Sequence, residues 1–220
     1  MGELIPAIWQ KYGYVYIQGA WGTVYIALLT VFFGTILGTL LSFLRLSRVR
    51  PLQWIVQVYI WILRGTPTLL QIYFFYFYLP RYLPFEMSER ACIITALVVN
   101  ASAYVEEVIR AGIQAVDRGQ TEAARSLGMT ARHTMTRIVL PQAFKNILPA
   151  LGNEFIVMIK QASLASIFFI VELTSAFKTV QSATFITIPA LIISGAIYLA
   201  LTTVLSALMK LVEKRLQSND

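Results

Sequence analysis

Apolar residues run along this chain in stretches too long for a water-soluble fold, with polar residues gathered in short islands between them. Trp21 to Leu44 is uncharged and long enough to cross the roughly 30 Å hydrocarbon layer of a bilayer as a helix. Ala91 to Ile109, Ala150 to Val171 and Ile188 to Met209 read as three further spans, with Pro149 marking the start of the third of these. Pro51 to Pro80 reads as an interrupted span. Its apolar halves, Leu52–Leu63 and Thr68–Leu79, are each too short to cross alone at about 1.5 Å per residue. Arg64-Gly65-Thr66-Pro67 is therefore expected inside the membrane. Pro67 frees backbone groups there and Arg64 brings a charge, so both need partners. Such breaks persist where they are buried in protein or line a cavity. Met1 to Ala20 mixes Trp9, Tyr12, Tyr14 and Tyr16 with Lys11 and is expected to lie at the outer interface. No cleaved leader is expected in it. The pattern predicts an all-α membrane bundle of five spans in one domain, residues 1–220.

Composition and charge sharpen this reading. Charged residues make up 13% of the chain, about half the share of an ordinary soluble domain. The net charge of +7 does not imply nucleic acid, because the cations sit beside the apolar runs as topology signals do. Arg45, Arg48 and Arg50 follow the first span, and Lys210, Lys214 and Arg215 follow the last. Segments assigned to the cytoplasm hold 12 Lys and Arg against four outside. This places the N-terminus out and the C-terminus in. The single Cys92 excludes an internal disulfide and a cysteine-based metal site. There is no G-x-x-x-x-G-K-[ST], so ATP hydrolysis by a P-loop is excluded, and no nucleophile or metal constellation stands out. The chain is not expected to be an enzyme or to hold a cofactor of its own.

One polar island is organised differently from the rest. Asp117 can cap a short helix, with Gln120 completing a capping box. Gly128 suits its C-terminal stop. Thr130 can cap a second short helix that ends at or near Pro141. The product is a helix–turn–helix knob bearing Arg125, Arg132, His133, Arg137 and Lys145, with Ala123, Ala124 and Leu127 as a small apolar face for another protein. Without further information it is also an ordinary basic loop between membrane helices.

The residues Glu122-Ala123-Ala124, Gly128, Ile138 and Leu140-Pro141 fix seven positions across twenty residues. In that register the stretch resembles the EAA loop of ABC-importer permeases. Arg64 to Gln71 (RGTPTLLQ), Ser102 to Ile113 (SAYVEEVIRAGI) and Asn153 to Leu164 (NEFIVMIKQASL) narrow the resemblance to permeases for polar amino acids of histidine, arginine, lysine or glutamine type. The resemblance implies a type I importer permease in the bacterial cytoplasmic membrane. It implies a second permease chain, identical or closely homologous, and two ATPase subunits that bind ATP and Mg. It further implies an extracellular or periplasmic amino acid-binding protein. Glu122, Ala123, Ala124, Gly128, Arg132, Leu140 and Pro141 would then meet the ATPase.

A zwitterionic amino acid needs a cation for its carboxylate and acceptors for its ammonium group. Arg64 and Lys160 are candidates for the first, and Glu154 with Asn100 for the second. Thr66, Tyr104 and Ser163 complete the candidate set. Arg64 and Glu154 each have a second reading, as ion-pair partners that hold helices together. Glu106 has Arg110 at i+4 as its expected partner. An ion channel would also explain charges within the membrane, but it gives no reason for the knob.

Overall fold

Residues Leu4–Leu46 form one uninterrupted helix, α1, of 43 residues. At about 1.5 Å per residue it is roughly 64 Å long, twice the hydrocarbon thickness. Residues 4–20 are therefore helically continuous with the first expected span. Ile8, Gly13, Tyr16 and Gly19 recur on one face and are buried. Ile8 and Tyr16 pack with Leu173, Ala176, Val180 and Ala190, and the Tyr16 hydroxyl donates to the Ala190 carbonyl at 3.2 Å. This part of α1 thus packs along the chain's own helices, while Tyr14 and Trp9 remain exposed.

The computed structural model describes residues 2–47 and 49–217, with side chains to 215; Arg48 lies outside the described residues. After α1 come α2 (Arg50–Gly65), α3 (Thr68–Phe77), the single turn α4 (Leu79–Tyr82) and α5 (Glu89–Gln114). The knob contains α6 (Arg118–Ser126) and α7 (Ala131–Thr134). Then follow α8 (Leu140–Gln161), α9 (Leu173–Thr184) and α10 (Thr187–Gln217). Among the described residues every regular element is helical. α1, α5 and α10 are each long and apolar enough to cross a membrane alone. The second expected span is divided into α2 and α3, as the Arg64–Pro67 break requires. The fourth is α8 with a 3-10 extension, Ala162–Phe168, after which the chain bends by 46° into α9.

Neither Pro141, read as the end of a short helix, nor Pro149, read as the start of the fourth span, marks a break in the helical backbone. Pro141 stands in the first turn of α8, and Pro149 lies inside that helix. A π-helical turn, Met135–Val139, leads into α8, and the Leu140 N–H donates to the Met135 carbonyl. The wider turn accommodates a residue that has no N–H and whose ring crowds the carbonyl four residues back. α7 and α8 are consequently one continuous rod, and the helix that carries the fourth expected span starts well before Pro149.

α1 is the spine against which α5 packs. Gly34 and Gly38 let the two backbones close up: a Cβ on Gly34 would stand 3.0 Å from the Ala101 methyl, and one on Gly38 2.7 Å from Val105. Small residues at this spacing permit van der Waals contact where no hydrophobic drive between helices exists. Gly38→Leu is expected to part α1 from α5 and lower the yield of folded chain by several-fold, an overpacking cost of about 1–3 kcal/mol, measurable by detergent-extracted, monodisperse protein. The core itself is divided among small clusters between helix pairs. Large apolar side chains such as Phe32, Leu40, Trp54, Trp61 and Leu199 are exposed on the outside, the inverse of a soluble protein's surface.

Candidate functional site

The knob is built by local hydrogen bonds. Asp117 caps α6 by accepting from the Gly119 N–H at 2.6 Å. The reciprocal half of the expected capping box is not formed: Gln120 Oε1 instead faces Gln142 Nε2 at 3.5 Å. At the far end the Met129 N–H donates to the Ala124 carbonyl and the Gly128 N–H to the Arg125 carbonyl, each at 3.1 Å. These are the two crossed bonds of a Schellman stop, and Gly128 takes the left-handed conformation it needs, with φ +82°. Thr130 then caps α7 through the His133 N–H.

α6 packs against α7 and the π turn, and this decides which residues a partner can reach. Ala124 is 5% exposed, turned into the chain's own packing, so it does not belong to the docking face on which it was expected. Glu122, Ala123, Arg132, Leu140 and Pro141 are exposed, and Leu127 stands out at 84%. Beneath the knob, Val116, Val139, Ala143 and Ile147 form a buried cluster that joins it to α5 and α8.

The second constellation surrounds the break between α2 and α3. Thr66 and Pro67 are extended, as the residue before a proline and the proline itself prefer. The side-chain amide of Gln71 takes up the freed groups. Its Nε2 donates to the Leu63 carbonyl (2.7 Å), the Thr66 carbonyl (3.1 Å) and Thr66 Oγ1 (2.9 Å). Its Oε1 accepts from Asn100 Nδ2 of α5 at 2.8 Å. Thr66 Oγ1 in turn donates to the Ile62 carbonyl. Gln71 was not singled out from sequence, although a lone amide in an apolar run five residues beyond a helix break signals this role.

The ion pairs differ from those expected. Glu106 pairs with Arg45 of α1 at 2.9 Å, not with Arg110. The face of α5 bearing Glu106 is the one packed on α1, so the carboxylate is carried away from its i+4 neighbour. Arg64 pairs with Glu107 at 2.5 Å and lies over the Tyr104 ring at 5.5 Å. Arg64 is therefore not the partner of Glu154.

Glu154, in mid-α8, is 8% exposed, and its Oε1 has no hydrogen-bond partner among the described residues. Among the described residues Glu154 forms no ion pair with Arg64 or with Lys160, which lies six residues on along the same helix. Lys160 is exposed at the end of α8, and Ser163 donates to its carbonyl at 2.6 Å. Two further buried acceptors lack partners: Asn100 Oδ1 and Gln161 Oε1. Gln161 follows Glu154 by seven residues and so shares its side of α8, about 10 Å further along. Gln161 is one of several polar residues in the middle of the predicted fourth span, and nothing in the sequence distinguishes it from them as a buried acceptor. Among the described residues no hydrogen bond or ion pair joins the Arg64–Asn100 constellation to the Glu154–Ser163 one.

Glu172, at the start of the stretch to Thr187 that the sequence reads as external and nearly neutral, is fully buried and caps α9, accepting from the Thr174 and Ser175 N–H groups and from the Tyr198 hydroxyl at 2.9 Å. A lone carboxylate in the apolar stretch IFFIVELTSAF was the available signal.

A bundle of long apolar helices that carries one packed, polar helix–turn–helix between α5 and α8 has the architecture of a membrane transport permease. Residues 30–218 match the binding-protein-dependent transport system inner membrane components, and the chain belongs to that family. It is 39% identical over 204 residues to the arginine transport system permease protein ArtQ of Bacillus subtilis (strain 168), covering 93% of each chain. It is 34% identical over 219 residues to the L-cystine transport system permease protein TcyB of the same organism, covering 98% of this chain and 93% of that one. Among solved structures, a chain of an amino acid ABC transporter crystallised with histidines superposes with a TM-score of 0.89 at 41% identity, over 93% of this chain and 95% of that one. The fold is that of type I ABC-importer permeases, and the permease reading stands over the ion channel.

Proposed function

We propose that this permease carries a polar amino acid inward across the bacterial cytoplasmic membrane by alternating access. The observation that carries the reading is the set of buried, unpartnered acceptors: Asn100 Oδ1, Glu154 Oε1 and Gln161 Oε1. Buried acceptors without donors are costly, and an ammonium or guanidinium group supplies several donors at once. The relatives' names, arginine and cystine permeases, point the same way. Asn100 and Glu154 receive the substrate's cationic end, Lys160 its carboxylate, and Thr66, Tyr104 and Ser163 border the path. Arg64 is engaged by Glu107 and stacked over the Tyr104 ring, so in this reading it is not a substrate ligand.

In this reading the chain crosses five times, N-terminus out, and dimerises with an identical or closely homologous permease. Two ATPase subunits, which hold ATP and Mg, receive the knobs through Glu122, Ala123, Gly128, Arg132, Leu140 and Pro141. An external binding protein delivers the substrate. Closure of the ATPase pair displaces the knobs and rocks the helices, turning the cavity from one side of the membrane to the other. The test is ATP hydrolysis by the complex reconstituted in liposomes with its binding protein. Polar amino acids are expected to stimulate hydrolysis and accumulate inside. Hydrolysis and uptake indifferent to all of them would refute the substrate class.

A further inference from the structure

α5 ends at Gln114, and only residues 115–117 separate it from α6. Val116 is buried with Val139, Ala143 and Ile147, and Gly112 lies so close to Ile147 that a Cβ there would overlap it. The knob, the end of α5 and the start of α8 are thus one packed body, and displacement of the knob displaces α5.

Two turns before its end α5 carries adjacent carboxylates that leave the helix about 100° apart. They reach different helices. Glu106, with its side chain 1% exposed, holds Arg45 of α1. Glu107, 27% exposed, holds Arg64 at the end of α2 and also lies 3.7 Å from Arg110 of its own helix. Arg110 donates through Nη1 to Gln114, while its Nε is buried without a hydrogen-bond partner among the described residues. Arg64 sits immediately before the Thr66–Pro67 break, where the helical hydrogen-bond ladder is already interrupted.

These contacts divide the labour. Glu106 is fully buried and Arg45 a quarter exposed, so opening that pair leaves a buried carboxylate uncompensated. The Glu107 carboxylate can release Arg64 and keep a cation, because Arg110 is already beside it with a donor unused. We infer that Glu107 is a positioning residue for transport. It ties the end of α2 to the knob-bearing helix, and it exchanges Arg64 for Arg110 when the bundle rocks. This rests on the chain being an ATP-driven permease, as proposed above.

The test compares wild type, R64Q, E107Q, R64Q/E107Q and E107D in the reconstituted complex, measuring uptake rate, substrate KM and ATP hydrolysis. In E107Q the maximal uptake rate is expected to fall about tenfold, since two arginines lose their counter-ion, while ATP hydrolysis continues. R64Q falls less, because Glu107 keeps Arg110. The double variant is no worse than E107Q, as for residues acting as a unit. E107D, which keeps the charge, is intermediate, and KM stays near wild type throughout. Uptake by E107Q at the wild-type rate overturns the inference. So does a raised KM in R64Q with losses that multiply in the double variant, which would make Arg64 a substrate ligand. Parallel loss of uptake and ATP hydrolysis also overturns it, leaving the pair a scaffold. Where E107Q does not assemble, E107D carries the same decision: a reduced ratio of uptake to hydrolysis supports the role, and an unchanged ratio overturns it. A wild-type complex whose hydrolysis ignores amino acids refutes the proposed function instead, and is read before any variant.

Discussion

Gly128→Val is expected to lower uptake at least tenfold while the chain still inserts and packs. Gly128 sits at φ +82°, with nothing within 4 Å of where a Cβ would stand. The substitution therefore meets no clash, and its whole effect is conformational. A left-handed backbone costs an L-residue about 1–2 kcal/mol and a β-branched one more. Relief comes by rotating the residue out of that region, which breaks the two crossed bonds at Ala124 and Arg125 and re-aims α6 relative to α7. The surface that turns away carries Ala123 and Leu127. The cause can be separated from mere loss of a glycine by a series: Asn tolerates this conformation best among side chains, Ala less and Val least. Uptake should fall in that order while the melting temperature of the permease moves little. A Gly128→Val complex that transports like wild type would remove the turn from the coupling mechanism. Ala123→Trp, at an exposed position of the same face, should block docking without touching the turn; Ala124→Trp should instead unfold the knob, because Ala124 is buried.

That last distinction shows where sequence reading stops. The caps of the knob were legible because each is a hydrogen bond between near neighbours: Asp117 to Gly119, Thr130 to His133, Gly128 to Arg125. The apolar runs were legible because a bilayer demands length and leaves little choice of element. The break at Arg64–Pro67 was legible for the same reason, since neither half could cross alone. Which face of a helix turns inward was not legible wherever the neighbour is distant in sequence. Ala124 and Ala123 are equivalent as letters; only the π turn packed beneath α6 separates them. Arg110 was the nearest cation to Glu106 along the chain, but Arg45 lies 61 residues away and on the helix that Gly34 and Gly38 bring into contact. Prolines 141 and 149 were read as boundaries because a regular helix excludes them. The π turn upstream supplies irregularity that no propensity anticipates. Glu172 looked like loop polarity because its partners, Tyr198 and the first N–H groups of α9, exist only once that segment coils.

Glu154→Gln is the second large effect. Glu154 Oε1 is buried and without a hydrogen-bond partner among the described residues, and in the proposed function its donor comes from the substrate or from a second permease. Glutamine keeps the size and one acceptor oxygen but removes the charge. Against a substrate ammonium or guanidinium, losing the charge-assisted bond weakens binding by roughly 1.5–3 kcal/mol, about ten- to a hundredfold. Against a structural partner, the same change leaves a buried cation uncompensated, which is costly to assembly rather than to affinity. Substrate affinity and melting temperature, measured together on the detergent-purified complex, therefore move differently in the two cases. The expected result is a loss of affinity at nearly unchanged melting temperature. Gln161→Ala provides the comparison on the same side of α8: a neutral acceptor contributes less, about 0.5–1.5 kcal/mol, so its affinity loss should be several-fold at most. Unchanged affinity with a lower melting temperature in Glu154→Gln would assign the carboxylate to the dimer and leave Asn100 Oδ1 and Gln161 Oε1 as the acceptors facing the substrate.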